Sequence, residues 1–322
     1  MLLLTILAWT MVSCGGGPPS LPADDSPASV HDVLTGTGGQ DFLYEVSTYH
    51  WDDGGAAAAK LFEWIGTEAT STDPRVAGRA GESAHALASF LSNRGENLLD
   101  IKTGVFGLSR STVGALNPSL LRAYGAALTP FQGAMVCDTR PVKGFDTLAD
   151  PCEAAVSAAK PVFAALNTDP ETASAFADAA YARMDRYLQL FVENDPASVS
   201  NPFPSALSYV GRLLGLVTIG ATHSDVIPPT IEQESTQAGY LVAKALLVKD
   251  PSLRFPAKFL ANGSVMSPLE VRQNLGVNGL DEYTRNLANF LSDNGNIEQL
   301  ISHDLEGQFE LVVAGSAHGG SK

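Results

Sequence analysis

One helix-start signal recurs along the chain and constrains the fold more than any other feature. An Asp or Asn is followed by proline, and then by apolar residues at helical spacing, at Asp73-Pro74, Asn117-Pro118 and Asp169-Pro170. The first residue suits the N-cap position, and proline suits the first helical position, where its missing N–H would have no partner anyway. The chain is therefore predicted to be built mainly from helices.

Further helices are predicted over 56–65, 207–219, 230–247, 268–275, 281–291 and 297–302. Strand signals are few, and only Gln308–Val313 is predicted as a short strand, with a disordered tail after it. Strands and helices do not alternate, so a parallel sheet is not expected. The predicted fold class is mainly α, a multi-helix bundle-like domain with few or no strands.

The N-terminus has the pattern of a bacterial lipoprotein signal. A short apolar run from Met1 to Val12 precedes Ser13 and Cys14, and glycines and prolines follow. We interpret residues 1–13 as a signal peptide and Cys14 as the lipidation site. A secretory signal normally begins with basic residues, yet the first Lys or Arg in the chain is Lys60. A misassigned start codon and a coincidental cysteine are the alternatives.

Composition divides the rest of the chain into three parts. Residues 14–40 are rich in Gly, Pro, Ser, Ala and Asp, and are predicted to form a disordered tether. Residues 41–305 are predicted to form the helical domain, with two subdomains divided near 200–205 as an alternative. Residues 306–322 hold the short strand and the tail. The expected location is the outer face of the plasma membrane; a secreted or cytoplasmic protein is the alternative if the start is misassigned.

The chain has three cysteines, and lipidation of Cys14 would leave Cys137 and Cys152 as a pair. In an exported protein such a pair is expected to form a disulfide. Closing a loop of this length would stabilise the fold by about 3 kcal/mol in the chain-entropy estimate. Two buried free thiols are the alternative.

The charge balance limits the partners. The chain has 35 acidic and 20 basic residues, for a net charge of −15. Because binding to nucleic acid depends on Lys and Arg that neutralise phosphates, no nucleic-acid partner is predicted. The same charge opposes docking on anionic lipid, so membrane contact is expected through the lipid anchor only. The expected partner is a protein of unknown identity.

Motifs that carry catalytic chemistry are missing from the sequence. It has no phosphate-binding glycine loop, no Gly-x-Ser-x-Gly elbow and no close pair of Cys or His metal ligands. Glu82 and His85 are spaced for one helix face, as in di-iron bundles, but that motif has no second copy. His50 stands near Asp52 and Asp53, for which helix capping is the favoured interpretation. We therefore predict no catalytic residue, no metal site and no cofactor.

One short motif allows two interpretations. Asn262-Gly263-Ser264 matches the acceptor for N-glycosylation. Asn-Gly is also a strong turn signal.

Two stretches of the sequence carry a resemblance to a known family. The first comprises Tyr49-His50-Trp51-Asp52-Asp53-Gly54-Gly55, Leu61, Trp64-Ile65, Asp73-Pro74, Ala80-Gly81-Glu82 and His85-Ala86-Leu87-Ala88. The second comprises Leu116-Asn117-Pro118, Leu121, Tyr124, the run from Leu128 to Val136, Gly144-Phe145, Phe163-Ala164, Asp169, Ala179-Ala180-Tyr181 and the run from Gly211 to Leu216. Together they resemble an actinobacterial domain of unknown function. That domain is found in proteins labelled TPR repeat region-containing, which accompany type VII (WXG100-type) secretion and polymorphic-toxin modules.

The resemblance implies an α-helical domain and a link to secretion or toxin biology, and it carries no catalytic residues. We find no period of 34 residues, so the TPR label itself is not predicted to apply. The leading hypothesis is a cell-envelope lipoprotein whose non-catalytic helical domain binds a protein partner. One alternative is an enzyme whose site would assemble from His50, Glu82 and His85 in a deep pocket. Another is a solute-binding lipoprotein, a class that usually has two α/β lobes.

Overall fold

Helices make up most of the residues that the structure describes. The computed structural model describes residues 17–103, 108–140, 142–149, 152–194 and 206–314. Its α-helices are α1 (Pro27–Thr35), α2 (Gly39–Thr48), α3 (Ala56–Ala59), α4 (Glu63–Glu68), α5 (Pro74–Leu99), α6 (Val113–Leu116), α7 (Pro118–Leu128), α8 (Gln132–Met135), α9 (Lys160–Leu166), α10 (Pro170–Glu193), α11 (Ala206–Ala221), α12 (Ile231–Lys249), α13 (Pro268–Asp293), α14 (Ile297–Leu300) and α15 (Gly307–Ala314). Short 3₁₀ segments lie at Thr129–Phe131, Ser157–Ala159 and Ala257–Phe259, and a π-helical turn at Ile301–Glu306.

Strands are confined to two small antiparallel hairpins within the described ranges. In one, β1 (Ile101–Thr103) pairs with β2 (Ser109–Ser111); in the other, β3 (Leu260–Ala261) pairs with β4 (Ser264–Val265). The prediction of a mainly α fold is confirmed. This architecture differs from the two α/β lobes that the solute-binding alternative expects.

The long helix α5 organises the N-terminal half of the core. Asp73 caps it by accepting a backbone N–H at 2.9 Å, and Pro74 occupies its first turn, as the sequence signal predicts. Its buried face includes Ala84, Leu87 and Leu91, which recur at helical spacing. Helices α1, α2, α4 and α9 pack against it, so this face joins the first part of the chain to the middle.

The predicted tether is wrong from Pro27 onward, because that stretch forms α1 and the beginning of α2. Ser26 caps α1, and Pro27 lies in its first turn. Val30 and Leu34, one helical turn apart, are almost completely buried, and α1 packs against α5. Two apolar side chains at i and i+4 are enough to dock a short helix on an existing core, although the average composition of the segment is that of a linker.

The predicted strand at Gln308–Val313 is also wrong, because these residues belong to α15. Helix α15 packs against α11 at two glycines. A Cβ atom on Gly211 would lie 3.1 Å from Cβ of Gln308, and one on Gly215 would lie 2.7 Å from Cβ of Val312. The close approach that these glycines permit buries Val312 completely. Tertiary packing therefore overrides the strand propensity of the Val-rich segment.

The C-terminal part contains α12 and α13, which pack against each other. Both begin with a capping box, at Thr230 and Ser267. Helix α13 is interrupted at Gly276, whose φ of 69° and ψ of −169° are not helical. The two helices predicted over 268–275 and 281–291 correspond to the two sides of this break.

Several predictions concern residues outside the described ranges. The signal peptide 1–13 and the lipidation site Cys14 are among them, as is the alternative subdomain boundary near 200–205. In the part of the chain that is described, no helix combines the length and the apolar character needed to cross a bilayer.

Candidate functional site

The two stretches that carry the family resemblance meet at Asn117, which is completely buried. Its amide nitrogen donates to the carbonyl oxygens of Ser47 at 3.0 Å and Tyr49 at 2.7 Å. The N–H of Trp51 donates to its amide oxygen at 3.3 Å. We call Asn117 with these three partners the Asn117 clamp. It fixes the end of α2 and the chain after it to the start of α7.

A glycine turn completes the contact between these segments. The N–H of Ser119 donates to the carbonyl oxygen of Gly54 at 3.0 Å. Gly55 has a φ of 82°, and a Cβ atom there would lie 2.7 Å from Cβ of Leu120. Asp53 accepts the N–H groups at the start of α3, at 2.9 to 3.1 Å, so the predicted capping role is confirmed. Asp53, Gly54 and Gly55, which belong to the first motif-bearing stretch, therefore hold the backbone in place.

A buried hydroxyl pair lies beside the Asn117 clamp. The hydroxyl oxygens of Ser47 and Tyr124 are 3.0 Å apart and both residues are fully buried. The ring of Phe62 meets the Tyr124 ring edge-on at 4.8 Å. Burial raises the pKa of Tyr124, so its hydroxyl stays protonated. The pair ties α2 to α7 a second time.

The three residues of the enzyme alternative have separate surroundings. Glu82 is paired with His31 on α1, with Oε2 and Nε2 2.8 Å apart. His85 packs edge-on against Phe145, with ring centroids 5.3 Å apart, and His50 is exposed. Across the described residues, no group of three or more His, Cys, Asp or Glu side chains is arranged to hold a metal ion. Glu82 thus joins α5 to α1, and His85 packs α5 against the loop that contains Phe145.

The predicted cysteine pair is adjacent to a buried carboxylate. The Cα atoms of Cys137 and Cys152 are 6.1 Å apart and their sulfur atoms are at bonding distance, a separation typical of disulfides. The neighbouring Asp138 is 3% exposed; it accepts from the Tyr187 hydroxyl at 3.0 Å and from Nε of Arg140 at 2.8 Å. A buried carboxylate needs such donors, so the cysteine pair and Asp138 hold the same turn.

A buried arginine joins this turn to the C-terminal helices. Arg212 on α11 is 7% exposed. Its Nε donates to Oε1 of Gln308 at 2.8 Å, and Nη1 donates to the carbonyl oxygen of Val136 at 3.3 Å. Burial lowers the pKa of Arg212, although a guanidinium remains charged at neutral pH.

A shallow cleft of about 340 Å³ lies between α10 and the loop that follows α11. Asp178 and Tyr181 line it from α10, and Asp225 and Ile227 line it from the loop. No Lys or Arg is found among its described lining residues. Ile227 is 91% exposed at its edge. The cleft therefore combines negative charge with an apolar edge.

An acidic group at the α10–α12 contact has an unusual protonation equilibrium. Burial, with the nearby Asp185 carboxylate, raises the pKa of Glu234 from 4.5 to about 7. Burial and the carboxylates of Asp178 and Glu234 raise the pKa of Tyr181. Its hydroxyl is buried and has no hydrogen-bond partner among the described residues. Burial and neighbouring carboxylates are the causes of both pKa shifts, so negative charge at the contact between α10 and α12 is poorly compensated.

Comparison with known proteins finds one match. Residues 22–64 are similar to the family described as a TPR repeat domain. No curated protein and no solved structure is significantly similar to the chain. The matched residues include α1, α2 and α3 and end within α4. A TPR unit is a helix–turn–helix of about 34 residues, and α1 and α2, which are packed together and joined by residues 36–38, form such a pair. This part of the helical domain is TPR-like, so the prediction that the TPR label does not apply is wrong for these residues.

Sequence reasoning missed the features that depend on distant partners. Asn117 carries a helix-start signal, and nothing in the sequence indicates that its side chain binds carbonyl groups near residue 47 instead of capping α7. Nothing in the sequence marks Asp138 or Arg212 as a buried charge either. The only available signal for Asp138 is its position next to Cys137.

Proposed function

We propose that this protein is a non-catalytic protein-binding module of the cell envelope. The observation that carries the proposal is the TPR-like stretch at residues 22–64, which contains an intact pair of packed helices. TPR units typically act by presenting helical surfaces to protein partners. The Asn117 clamp and the Ser47–Tyr124 pair support this role, because they hold the helix pair in one orientation.

The exposed side of the helix pair indicates the chemistry of a partner. Asp32 on α1 and Asp41 and Glu45 on α2 are exposed. Tyr44 is 38% exposed, and the guanidinium of Arg94 lies 5.5 Å from its ring centroid. A partly exposed aromatic ring on a helix pair that also exposes three carboxylates favours a partner that offers basic and apolar side chains together.

Site-specific cross-linking tests the binding proposal. A photoreactive phenylalanine analogue replaces Tyr44 in the full chain, and the matched control carries it at Leu108, which is 84% exposed on the β1–β2 side. We expect a discrete cross-linked protein product from position 44 that Leu108 does not give. Equal products from the two positions, or none from position 44 in folded protein, would refute the proposal.

We also propose that a lipid on Cys14 holds the protein at the outer face of the plasma membrane. The apolar run before Cys14 and the Gly- and Pro-rich residues after it support this location. Globomycin treatment or a Cys14→Ala change should shift the protein out of the membrane fraction. If neither treatment moves it, the anchor proposal fails, while the binding proposal remains testable by cross-linking.

A role in type VII secretion or toxin biology is the narrower form of the proposal. The resemblance of the two motif-bearing stretches to domains that accompany such systems supports it. Secretion-core genes beside the coding gene would strengthen this role. Consistent placement among unrelated genes would argue against it without affecting the proposed anchor.

A further inference from the structure

The described residues include three Asn-Gly pairs, at Asn262, Asn278 and Asn294. An Asn side chain followed by glycine is prone to lose ammonia, because the next backbone nitrogen is not shielded by a Cβ atom. Because each Asn is followed by glycine, the local sequence predicts similar rates of ammonia loss at the three pairs. The structure places them in three different surroundings.

Asn262 and Gly263 form the two-residue turn between β3 and β4. Both are exposed, with φ of 53° and 81°, as in the turns that Asn-Gly favours in hairpins. A Cβ atom added to Gly263 would find nothing within 4 Å. Each flanking strand has only two residues, so little structure must open for the backbone to rearrange.

The other two asparagines are more constrained. Asn278 lies in α13, two residues after the break at Gly276. A Cβ atom on the following Gly279 would collide with the side chain of Leu275, so the backbone there is more closely packed than at Gly263. Asn294 ends the same helix, and its amide nitrogen donates to the carbonyl oxygen of Phe290 at 2.7 Å. Because Nδ2 is the atom that deamidation expels, this hydrogen bond has to be lost for Asn294 to react.

We propose that Asn262 is a selective site of spontaneous deamidation. The Gly263 nitrogen attacks Cγ of Asn262, the Cγ–Nδ2 bond breaks, and Nδ2 leaves as ammonia with the proton from the Gly263 nitrogen. Water then opens the resulting cyclic imide at either carbonyl, which gives aspartate or isoaspartate. Each product adds one negative charge, and isoaspartate also lengthens the backbone of the turn.

Deamidation at Asn262 would affect buried residues on both sides of the hairpin. Phe259 and Val265 flank the turn and are almost fully buried. The hydroxyl of Tyr283 on α13 donates to the carbonyl oxygen of Met266 at 2.9 Å. Isoaspartate in the turn lengthens the backbone, so it disturbs the pairing of β3 with β4 that positions Phe259 and Val265.

The full-length folded protein is incubated at mildly alkaline pH, and the three peptides are followed by mass spectrometry after digestion. Asn262 is expected to react about tenfold faster than Asn278 or Asn294, because opening the hairpin disturbs less structure. An Asn262→Gln variant should lose the first product only. A parallel incubation in urea should bring the three rates close together.

Two results would overturn the proposal. One is a rate at Asn278 or Asn294 in the folded protein that equals or exceeds the rate at Asn262. The other is the same preference for Asn262 in urea, which would mean that the fold does not select the site.

Discussion

Glu234 provides a sharp test of the packing between α10 and α12. Its pKa is raised from 4.5 to about 7, first by burial and then by Asp185. Tyr181 lies on α10 one helical turn before Asp185, and its buried hydroxyl has no hydrogen-bond partner in the described part of the chain. The proton that folded Glu234 retains is released on unfolding at intermediate pH. This group therefore stabilises the fold fully below its ordinary pKa, and that contribution is lost as pH rises through about 7.

The size of the effect follows from the pKa values. At about 1.4 kcal/mol per pKa unit, a rise from 4.5 to about 7 corresponds to at most about 3.5 kcal/mol. Glu234 retains some contact with water, which screens its charge, so about 1–3 kcal/mol is the expected range. Glu234→Gln keeps the shape and removes the charge. It should increase the free energy of unfolding by that amount near pH 8.5 and change it little near pH 4.

Urea unfolding followed by far-ultraviolet circular dichroism measures this difference at the two pH values. Comparison of variant with wild type cancels the other titrating groups. Asp185→Asn should give a smaller gain, because burial is the larger cause of the raised pKa. The matched control is Glu232→Gln on the same helix: hydrogen bonds at the start of α12 lower the pKa of Glu232, so this change should not stabilise the fold. Equal effects of Glu234→Gln at both pH values would refute the reasoning.

Three further predictions concern the framework, each measured as a change in the free energy of unfolding. Asn117→Leu leaves two carbonyl groups and one N–H of the Asn117 clamp unpaired and should lower the free energy of unfolding by about 2–4 kcal/mol. The control is Asn289→Leu at an exposed position of α13, and a smaller loss for Asn117→Leu than for this control would contradict the clamp. Cys152→Ser should lower stability by about 3 kcal/mol in oxidised protein and change nothing under reducing conditions; equal loss in both would contradict the disulfide. Gly215→Ala places a methyl group 2.7 Å from Cβ of Val312 and should cost about 1–3 kcal/mol, whereas Gly78→Ala, with open space around it, should be tolerated.

Local signals predicted the helices well. Asp73 and Asp169 accept backbone N–H groups at the starts of α5 and α10, because capping depends on neighbours three residues away or fewer. The turn at Asn262 follows from equally local chemistry. By contrast, α1 and α15 were missed, because their stability comes from packing on α5 and α11 and not from their own composition.

The candidate site was less accessible to sequence reasoning. The pairing of Glu82 with His31 joins residues 51 positions apart, and no local pattern specifies it. The Asn117 clamp likewise depends on carbonyl groups about 70 residues away. Side-chain chemistry limits which partners such residues accept, but chain geometry selects among them.

The Asn117 clamp also limits how the pair of helices α1 and α2 can be exchanged between genes. The TPR-like stretch ends at residue 64, yet the groups that satisfy the end of α2 come from Asn117 and Tyr124. Recombination that exchanged residues 22–64 alone would leave the incoming segment without these partners. The evolutionary unit is therefore expected to extend through α7, and a grafted version of the helix pair would have to include that helix.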